Sequence, residues 1–267
     1  MQKRKLSIVT PTRDGMLDIN YVESLMGTTK QLPNGWDMMP TLLAGCSDIT
    51  AARNTLWNKW YYETDVDAFA FIDSDMGWRP QDVNRALELL EMVEVDAVGG
   101  IYPKKGIDLD AFGKAIQAQM GQRGQVDMET ALSASMDYTS TGGHNFFEEG
   151  YFKGLVQIDA CGMGFFLITR EKAKKLMDWA EANMDKRIFH TLGIEVGGYP
   201  VFNHLAKETG DNYGEDYSFC FRMKEAGMTL FADPSMPFTH HGNHTFYGKF
   251  SDFFDTFKHL ASNNPSE

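Results

Sequence analysis

The fold of this chain is most strongly constrained by a short apolar run that ends in acidic residues. Residues 68–72 (Ala-Phe-Ala-Phe-Ile) are apolar without interruption, and Asp73-Ser74-Asp75 follows directly. A strand with no polar face must be covered on both sides, as happens when helices lie on both faces of a sheet. The run therefore predicts a central strand of an α/β sheet, with two aspartates at the carboxyl end of that strand.

Strand and helix patterns alternate around this central strand. They predict a strand at 6–10 that leads into a loop at 12–15, a helix at 49–60 capped by Ser47 or Asp48, a helix that begins at Pro80, and a strand at 96–102. Such alternation is typical of a Rossmann-like, mostly parallel sheet flanked by helices. Ligands of these sheets bind outside the carboxyl ends of the strands, which is where the aspartate pair lies.

The rest of the chain divides into irregular and regular stretches. Residues 106–150 and 189–212 have poor periodicity and are predicted to be loop insertions. The remaining patterns predict strands at 155–158, 165–168 and 229–232, and helices after Thr169, between Gly214 and Gly227, and at 251–260. We therefore expect one compact domain with irregular insertions.

Composition narrows the class of function. The 267 residues carry a formal net charge of -12, which argues against broad wrapping of nucleic acid, because that binding depends on Lys and Arg at phosphates. The sequence has no run of about 18 apolar residues and no apolar leader at its start, so we expect a cytosolic protein that does not enter a membrane. Cys46, Cys161 and Cys220 are too scattered for a disulfide framework and are expected to be ordinary buried thiols.

The aspartate pair after the central strand is the first candidate for chemistry. Two carboxylates one residue apart can hold a divalent cation, and the cation can neutralise a departing diphosphate. The same spacing occurs at Asp65 and Asp67 and at Asp108 and Asp110, so spacing alone does not single out a site. Position favours Asp73 and Asp75, because they follow the clearest buried strand.

Two further groups of polar residues follow later in the chain. Glu215 and Asp216 begin a predicted helix, where carboxylates either interact with the helix dipole or serve as a general base. His240, His241 and His244 follow the last predicted strand, and a single histidine there is most often a surface or hydrogen-bonded residue. A cluster of histidines at a strand end also fits a metal ligand. The residues alone leave both alternatives open in both groups.

The order of these motifs resembles the GT-A glycosyltransferases. The matching segments are Val9-Thr10-Pro11-Thr12, Ala52-Arg53-Asn54, Phe71-Ile72-Asp73-Ser74-Asp75, Gly214-Glu215-Asp216 with Phe219 and Arg222, and His240-His241-Gly242. The resemblance covers most of the chain apart from the two irregular stretches. Residues 73–76 and 98–103 are also similar to compact single-domain members carried by bacteriophages.

The resemblance implies a role for each matched residue. It implies that Pro11, Thr12 and Arg13 line the base pocket, that Arg53 approaches the ribose or phosphates, that Asp73 and Ser74 contact the donor, and that Gly162 and Gly164 let the backbone approach the sugar. It implies that the cation is held by Asp75 and His240, with Asp73 as a further ligand and His241 as a competitor. Asp216 is the implied base of an inverting enzyme, with Glu215 as the alternative.

The resemblance further implies the organisation and the ligands of the protein. It implies a single GT-A catalytic domain over 1–267, with a nucleotide-binding half at 1–105, a variable loop region at 106–150, a metal and acceptor half at 151–250, and a C-terminal helix and tail at 251–267. The expected ligands are a nucleotide-diphosphate sugar, with UDP favoured, and Mn²⁺ or Mg²⁺. No obligate protein partner is expected, and a phage-encoded protein would act in the host cytoplasm.

The acceptor is left open between two classes. The phage-like motifs favour a 5-hydroxymethylpyrimidine in DNA, which would need stacking aromatics and a local basic strip. Candidate residues are Tyr102, Lys104, Lys105, Phe146, Phe147 and Tyr151, unless they are loop packing residues. A surface glycan or small saccharide is the competing acceptor, and the negative net charge favours it.

Two alternatives to a glycosyltransferase remain at this stage. The first is a catalytically silent module that binds nucleotide sugars, which would not need Asp73, Asp75 and Asp216 together. The second is a nucleotidyltransferase, which is ranked last because residues 12–15 are a poor match to a glycine-rich, basic phosphate loop.

Overall fold

The structure is a computed structural model that describes residues 3–142, 151–152 and 154–262. Its helices are α1 (Ile19–Gln31), α2 (Ile49–Glu63), α3 (Pro80–Leu90), α4 (Leu109–Arg123), α5 (Met128–Ala134), α6 (Arg170–Asn183), α7 (Glu215–Glu225) and α8 (Phe250–Ser262). Its strands are β1 (Arg4–Thr12), β2 (Trp36–Ala44), β3 (Ala68–Ile72), β4 (Met76–Gly77), β5 (Ala97–Gly99), β6 (Ser140–Thr141), β7 (Tyr151–Phe152), β8 (Leu155–Ile158), β9 (Ala160–Cys161), β10 (Phe165–Thr169), β11 (Arg187–Thr191), β12 (Ile194–Gly198), β13 (Leu230–Ala232), β14 (Pro237–His241) and β15 (Thr245–Lys249).

The centre of the molecule is an eight-stranded sheet with the order β2-β1-β3-β10-β5-β13-β8-β7. β1 pairs in parallel with both β2 and β3, and β13 pairs in parallel with β5. β10 runs antiparallel to both of its neighbours, β3 and β5, so those two strands share one direction. β8 is antiparallel to β13 and β7 is antiparallel to β8, so six of the eight strands share one direction and β10 and β8 oppose it. The predicted α/β fold with a mostly parallel sheet is confirmed.

β3 is covered on both faces, as its sequence predicts. All five of its residues are buried. Phe69 and Phe71 pack on one side with the aromatic face of α2, while Ala68, Ala70 and Ile72 pack on the other side with α3. The side chains alternate between faces because successive residues of a strand point in opposite directions. This double burial fixes the position at which Asp73 and Asp75 leave the sheet.

Most of the predicted helix starts and strand positions are confirmed. The Asp48 side chain caps α2 by accepting a hydrogen bond from the amide of Ala51, and Thr169 caps α6 in the same way through Lys172. α3 begins at Pro80, where a missing N–H costs no helical bond. β1 continues through Pro11 to Thr12, beyond the predicted end, because its pairing with β3 stops at Val9 while that with β2 goes on.

The two stretches predicted to be irregular contain regular structure. α4 and α5 lie within 106–150, and their amino ends are capped by Asp108 and Asp127. They bury a small core of Ala115, Ala131 and Ala134, with Phe112 and Ile116 packed partly against it. Leu109 and Met120 on the same helix, α4, are exposed, so the apolar face is only partly buried. The hairpin of β11 and β12 lies in the second stretch. The strand predicted at 96–102 is shorter than expected, since β5 covers only Ala97–Gly99.

A small sheet, in the order β15-β14-β4, lies beside the carboxyl end of β3. β4 begins directly after Asp75, and its Met76 pairs with His240 of β14. Gly77 makes this pairing possible, because a Cβ at this residue would lie 2.2 Å from Oγ1 of Thr239. The small sheet therefore brings the histidine segment next to the second aspartate.

Two predictions about the surface and the thiols can be compared with the structure. Within the described ranges, no helix is long and apolar enough to cross a membrane. All three cysteines are free thiols; Cys161 and Cys220 are buried as expected, whereas Cys46 is partly exposed.

Candidate functional site

Charged side chains from distant parts of the sequence gather at the carboxyl end of β3. They come from the start of α2, the loop after β3, the loop after β5, the start of α7 and the strand β14. The group consists of Arg53, Asp73, Asp75, Lys105, Glu215, Asp216 and His240, with Tyr102 beneath it. We call this group the acidic cluster.

Arg53 is the buried cation of the acidic cluster. Its Nη2 donates to Oδ1 of Asp73 at 3.0 Å and to Oδ2 at 3.3 Å, and its Nε lies 3.6 Å from Oε1 of Glu215. The side chain is only 4% exposed, and its guanidinium lies over the ring of Phe71. Burial lowers the pKa of Arg53, but the carboxylates of Asp73 and Glu215 more than offset that effect, so the pKa is raised. Arg53 is therefore charged and held against both carboxylates.

Two nitrogens of Arg53 have no hydrogen-bond partner within the described part of the chain. These are Nε and Nη1, both buried. A buried donor without a partner is costly, and charged groups pay more than neutral ones. The guanidinium therefore has free donor capacity for an anionic ligand such as a phosphate.

Asp75 carries the second ion pair of the acidic cluster. Its Oδ2 lies 2.5 Å from Nζ of Lys105 and 3.5 Å from Nε2 of His240. Burial alone would raise the pKa of Asp75, but hydrogen bonds from His240 and Lys105 outweigh it and lower the pKa to about 2. Asp75 is therefore ionised at neutral pH, as a metal ligand must be.

The two candidate histidines of β14 point to opposite sides of the small sheet. Nδ1 of His240 lies 2.9 Å from the carbonyl oxygen of Pro103, while its Nε2 faces Asp75. His241 is buried on the other side, where its ring nitrogens lie within hydrogen-bond distance of Thr245 and Thr239. Burial lowers the pKa of His241. His240 is thus the histidine that faces the acidic cluster.

The hydrogen bond to Pro103 also decides what His240 can do. A carbonyl oxygen only accepts, so Nδ1 donates its proton to Pro103. Nε2 donates to Asp75 in the ion pair, and it would offer its lone pair to a metal that replaced that proton. A metal-bound histidine commonly has this arrangement, with the other ring nitrogen held by a backbone carbonyl. His240 is therefore oriented as a ligand would be.

Glu215 and Asp216 lie at the first turn of α7 and face the acidic cluster. Oδ1 of Asp216 accepts a hydrogen bond from the amide of Tyr217 at 2.8 Å. The pKa of Asp216 is raised, first by burial and then by the negative charge of Glu215, although Arg53 works in the opposite direction. The two carboxylates thus interact both with the helix dipole of α7 and with Arg53 of α2. A carboxylate that only caps a helix would not need the second interaction.

Asp73 differs from Asp75 in its protonation equilibrium. Its pKa is raised by burial, and Arg53 offsets this only in part. Its amide donates to the carbonyl of Gly164, which fixes the loop after β3 against the turn before β10. The two aspartates of the pair are therefore placed in different environments, one against a buried guanidinium and one against a lysine and a histidine.

Gly162 and Gly164 make room for a protein side chain. A Cβ at Gly162 would lie 2.2 Å from the hydroxyl of Tyr102, and one at Gly164 would lie 2.6 Å from its ring. The amide of Gly164 donates to the same hydroxyl at 3.0 Å. Burial and the nearby Asp73 raise the pKa of Tyr102 well above its ordinary value. Close approach of these glycines to a sugar stays a prediction.

The residues expected at the base pocket lie along the end of β1. Pro11 and Thr12 are buried, and Oγ1 of Thr12 bonds to Asp14 and to the carbonyl of Met16. Arg13 is exposed. The carbonyl of Ser74 accepts a hydrogen bond from the amide of Asp18, which ties this loop to the aspartate pair. Their roles in donor binding stay predictions.

Sequence reasoning assigned two residues of the acidic cluster to a different task. Tyr102 and Lys105 were candidates for the acceptor, with loop packing as the alternative. The structure places Tyr102 under the glycine turn and Lys105 on Asp75. Both lie in the loop that follows β5, and loop residues carry no periodicity that could indicate their neighbours. Phe146 and Phe147, together with the side chain of Tyr151, lie outside the described residues.

The acidic cluster suits a divalent cation in its chemistry. Four carboxylates there face the full positive charges of Arg53 and Lys105, so the cluster has an excess of negative charge. Carboxylate oxygens and a neutral imidazole are ligands for Mn²⁺ and Mg²⁺. Within the described residues, no three His, Cys, Asp or Glu side chains are already close enough to hold a metal. The cation on Asp75 is that of Lys105.

Comparisons with known proteins leave the activity open. No family model and no curated protein matches the chain. Among solved structures it is similar to protein A197 from STIV, at 16% identity and a TM-score of 0.48, over 90% of this chain and 86% of that chain. It is also similar to a Drosophila β-1,4-galactosyltransferase 7 mutant in complex with manganese, UDP-Gal and xylobiose, at 12% identity and a TM-score of 0.40, over 92% of this chain and 70% of that chain. Likenesses of this size do not assign an activity.

Proposed function

We propose that this protein transfers a sugar from a nucleotide-diphosphate sugar, with UDP favoured, to an acceptor hydroxyl in a metal-dependent reaction. The observation that carries the proposal is the facing pair of Asp75 Oδ2 and His240 Nε2, 3.5 Å apart. In this pair the hydrogen bond from His240 places a proton between the two groups, and a divalent cation could take the place of that proton with both groups as ligands. The residues therefore fit a cation beside a leaving diphosphate.

Three residues would hold the metal in this proposal. Asp75 and His240 are the principal ligands, and Asp73, two residues earlier in the same loop, would join them once its carboxylate turned away from Arg53. Asp75 is suited to the task because its pKa of about 2 keeps it ionised without competing protons. When bound, Mn²⁺ or Mg²⁺ would neutralise the charge that develops on the departing diphosphate.

The donor would be recognised by Arg53 and by the end of β1. Nη1 of Arg53, which has no hydrogen-bond partner among the described residues, would supply a donor for ribose or phosphate oxygens. Pro11, Thr12 and Arg13 lie where the carboxyl ends of the parallel strands meet, and they would line the base pocket. Ser74 and the turn that contains Gly162 and Gly164 would lie on the sugar side.

Asp216 would be the general base if the reaction inverts the anomeric carbon. The acceptor oxygen would bond to that carbon as the bond to the diphosphate breaks, and the acceptor proton would pass to the Asp216 carboxylate. Its raised pKa makes it a stronger base than an ordinary aspartate. Glu215 is the alternative, but its contact with Arg53 suits a structural role better.

The acceptor belongs to one of two classes in this proposal. A 5-hydroxymethylpyrimidine in DNA is favoured by the phage-like motifs, and a glycan or small saccharide is favoured by the net charge of -12. Both offer the hydroxyl that the reaction needs. A direct comparison of hydroxymethylated single-stranded DNA with oligosaccharides as acceptors decides between them.

A thermal-shift panel tests the donor class first. The panel contains UDP, GDP and their sugar derivatives, each with and without Mn²⁺. At a concentration of 100 times the Kd, a ligand that binds only the folded state adds roughly 2.7 kcal/mol of stability. We expect one nucleotide series to raise the Tm by several degrees, and only when Mn²⁺ is present.

The outcomes of this panel separate the classes of protein. A metal-dependent shift without turnover of any donor would identify a catalytically silent binding module. Absence of a shift with every diphosphate, with and without Mn²⁺, would contradict the proposed function.

A further inference from the structure

The ammonium of Lys105 occupies the place at Asp75 that a metal ion would need. Its Nζ lies 2.5 Å from Oδ2, the same oxygen that Nε2 of His240 approaches at 3.5 Å. One oxygen thus faces both the candidate metal ligand and a cation of the protein itself. A metal that bound between Asp75 and His240 would have to share this oxygen with Lys105 or displace the ammonium.

The position of Lys105 is set by the chain around it. The amide of Lys104 donates to the carbonyl of Asp137, and the amide of Gly106 donates to the carbonyl of Lys104, so the backbone on both sides is held. The aliphatic stem of Lys105 passes over Gly242, where a Cβ would lie 3.1 Å from its Cδ. Gly242 directly follows β14, so the stem passes beside the end of this strand to reach Asp75.

The Lys105 pair with Asp75 is nevertheless one that can open. The two side chains are 37% and 35% exposed, so water can replace each partner at moderate cost. A lysine side chain is long and has free rotation at several bonds, unlike the buried Arg53. The acidic cluster therefore combines one fixed cation with one that can leave.

We propose that Lys105 is a tethered cation that neutralises Asp75 until a divalent metal displaces it, so that Lys105 lowers metal affinity in the absence of donor. This inference rests on the proposed function, because it takes Asp75 as a metal ligand. The displaced ammonium lies next to a site that would receive a diphosphate, and such an anion offers it a new partner. Binding of metal and of nucleotide diphosphate is then coupled through Lys105.

The coupling follows from the change of partner. Without nucleotide, the metal has to break the ion pair between Lys105 and Asp75 and leave the ammonium in water. With a diphosphate present, the ammonium regains an anionic partner, and the metal binds more tightly. Two ligands that each favour the same rearrangement raise the affinity of one another by the same factor.

The test measures Mn²⁺ binding directly, by electron paramagnetic resonance, with and without UDP. Lys105→Gln removes the competing charge, and we expect it to bind Mn²⁺ roughly three- to tenfold more tightly than the wild type without UDP. The variant should also gain less Mn²⁺ affinity from UDP than the wild type does. Lys105→Arg keeps a cation at this position and should bind Mn²⁺ as weakly as the wild type.

Lys104→Gln is the matched control, because it removes the same charge from the adjacent, exposed residue. It should leave the Mn²⁺ affinity near that of the wild type. An equal gain in both glutamine variants would overturn the inference, since the effect would then be one of net charge. No gain in Lys105→Gln would overturn it as well.

Failure of the proposed function gives a different result. One possible result is that UDP, UDP-sugars and their GDP counterparts do not change the Mn²⁺ affinity of any variant, while Lys105→Gln still binds Mn²⁺ more tightly than the wild type. In that case the competition at Asp75 stands and the donor assignment is wrong. If no variant binds Mn²⁺, both the competition and the metal dependence are contradicted.

Discussion

The carboxylates of the acidic cluster differ because each has different neighbours. Asp75 is paired with Lys105 and His240, and its pKa falls to about 2. Asp216 lies in a more buried position beside Glu215, and its pKa is raised. A low pKa suits a permanently ionised ligand, while a raised pKa suits a group that takes up a proton. The environments therefore divide the two proposed tasks between the two residues.

The raised pKa of Asp216 leads to a prediction on both activity and stability. Asp216→Asn should abolish transfer of the sugar while donor binding stays within about threefold of the wild type, because the amide cannot accept the proton. The variant should also unfold at a higher temperature at pH 7, since it no longer buries a charge beside Glu215. A gain of ~1 kcal/mol corresponds to roughly 2–4 °C in a chain of this size.

The pH dependence of this gain has a fixed sign. A carboxyl whose pKa is higher in the folded state costs stability as the pH rises above its ordinary pKa of 3.8; the cost is complete above the raised pKa and is absent in acid, where both states are protonated. The difference in Tm between Asp216→Asn and the wild type should therefore shrink as the pH falls through the raised pKa. Transfer by the wild type should decline over the same range. A difference in Tm that is constant with pH, or a variant with full activity, would rule out this role.

Some residues of the site were predictable from sequence and others were not. Asp73, Asp75, Arg53, Glu215, Asp216 and His240 all belong to motifs that resemble one family, and the structure brings them together. The choice of His240 over His241 as a ligand was implied by that resemblance and stays a prediction; the structure shows that the ring of His240 faces Asp75, whereas that of His241 lies against Thr239. Lys105 was not predicted at Asp75, because its contact depends on the course of a loop over Gly242.

At the scale of the elements, the short strand β4 controls the geometry of the site. It starts immediately after Asp75 and pairs with β14 through Met76 and His240. The amide of His241 donates to the carbonyl of Asp75 at 2.8 Å, which adds a second link. The distance between the carboxylate and the imidazole is therefore set by backbone pairing and not by contacts of the side chains alone.

A substitution at Gly77 tests this arrangement without changing either of the proposed metal ligands, Asp75 and His240. In Gly77→Ala the new Cβ would lie 2.2 Å from Oγ1 of Thr239, so β14 has to move. We expect Mn²⁺ affinity to fall about tenfold, as is typical when the groups that orient ligands are disturbed. Circular dichroism and urea unfolding should show that the variant is folded.

The control for this substitution is Gly113→Ala in α4. A Cβ there meets nothing within 4 Å, and the residue is helical, so alanine should leave Mn²⁺ affinity unchanged and stabilise the fold by about 0.4–1 kcal/mol. If both glycine variants bind Mn²⁺ as the wild type does, β4 does not set the geometry of the site.

The elements that sequence patterns missed have recognisable physical causes. α4 and α5 bury alanines, and the larger Phe112 and Ile116 pack only partly against them. Gly113 and Gly121 within α4 have low helix propensity and further obscure its pattern. β2 is an edge strand whose first seven residues, before Leu43, are all exposed or half-exposed. Its apolar and polar residues do not alternate cleanly. β3, by contrast, is buried on both faces, and its continuous apolar run predicts it correctly.

At the scale of the whole molecule, the sheet order explains how distant residues meet. Arg53, Asp73 and Lys105 follow or flank successive strands of the first half of the chain, while Glu215 and His240 come from the second half. The antiparallel strand β10 lies between β3 and β5 and joins the two halves into one sheet. Sequence patterns predict the strands, but the insertion of β10 between two parallel neighbours depends on long-range pairing that local patterns do not contain.

The central claim is that Asp75 holds a metal that binds a nucleotide diphosphate. Calorimetric titration of UDP and GDP, with and without Mn²⁺, tests it most directly in the wild type, Asp75→Ala and Asp65→Ala. Asp65 is the matched control, because it belongs to a second aspartate pair but forms an exposed ion pair with Lys5. We predict Mn²⁺-dependent binding in the wild type and in Asp65→Ala, with at least a tenfold loss of affinity in Asp75→Ala. Equal affinity with and without Mn²⁺, or an unchanged affinity in Asp75→Ala, would contradict the account.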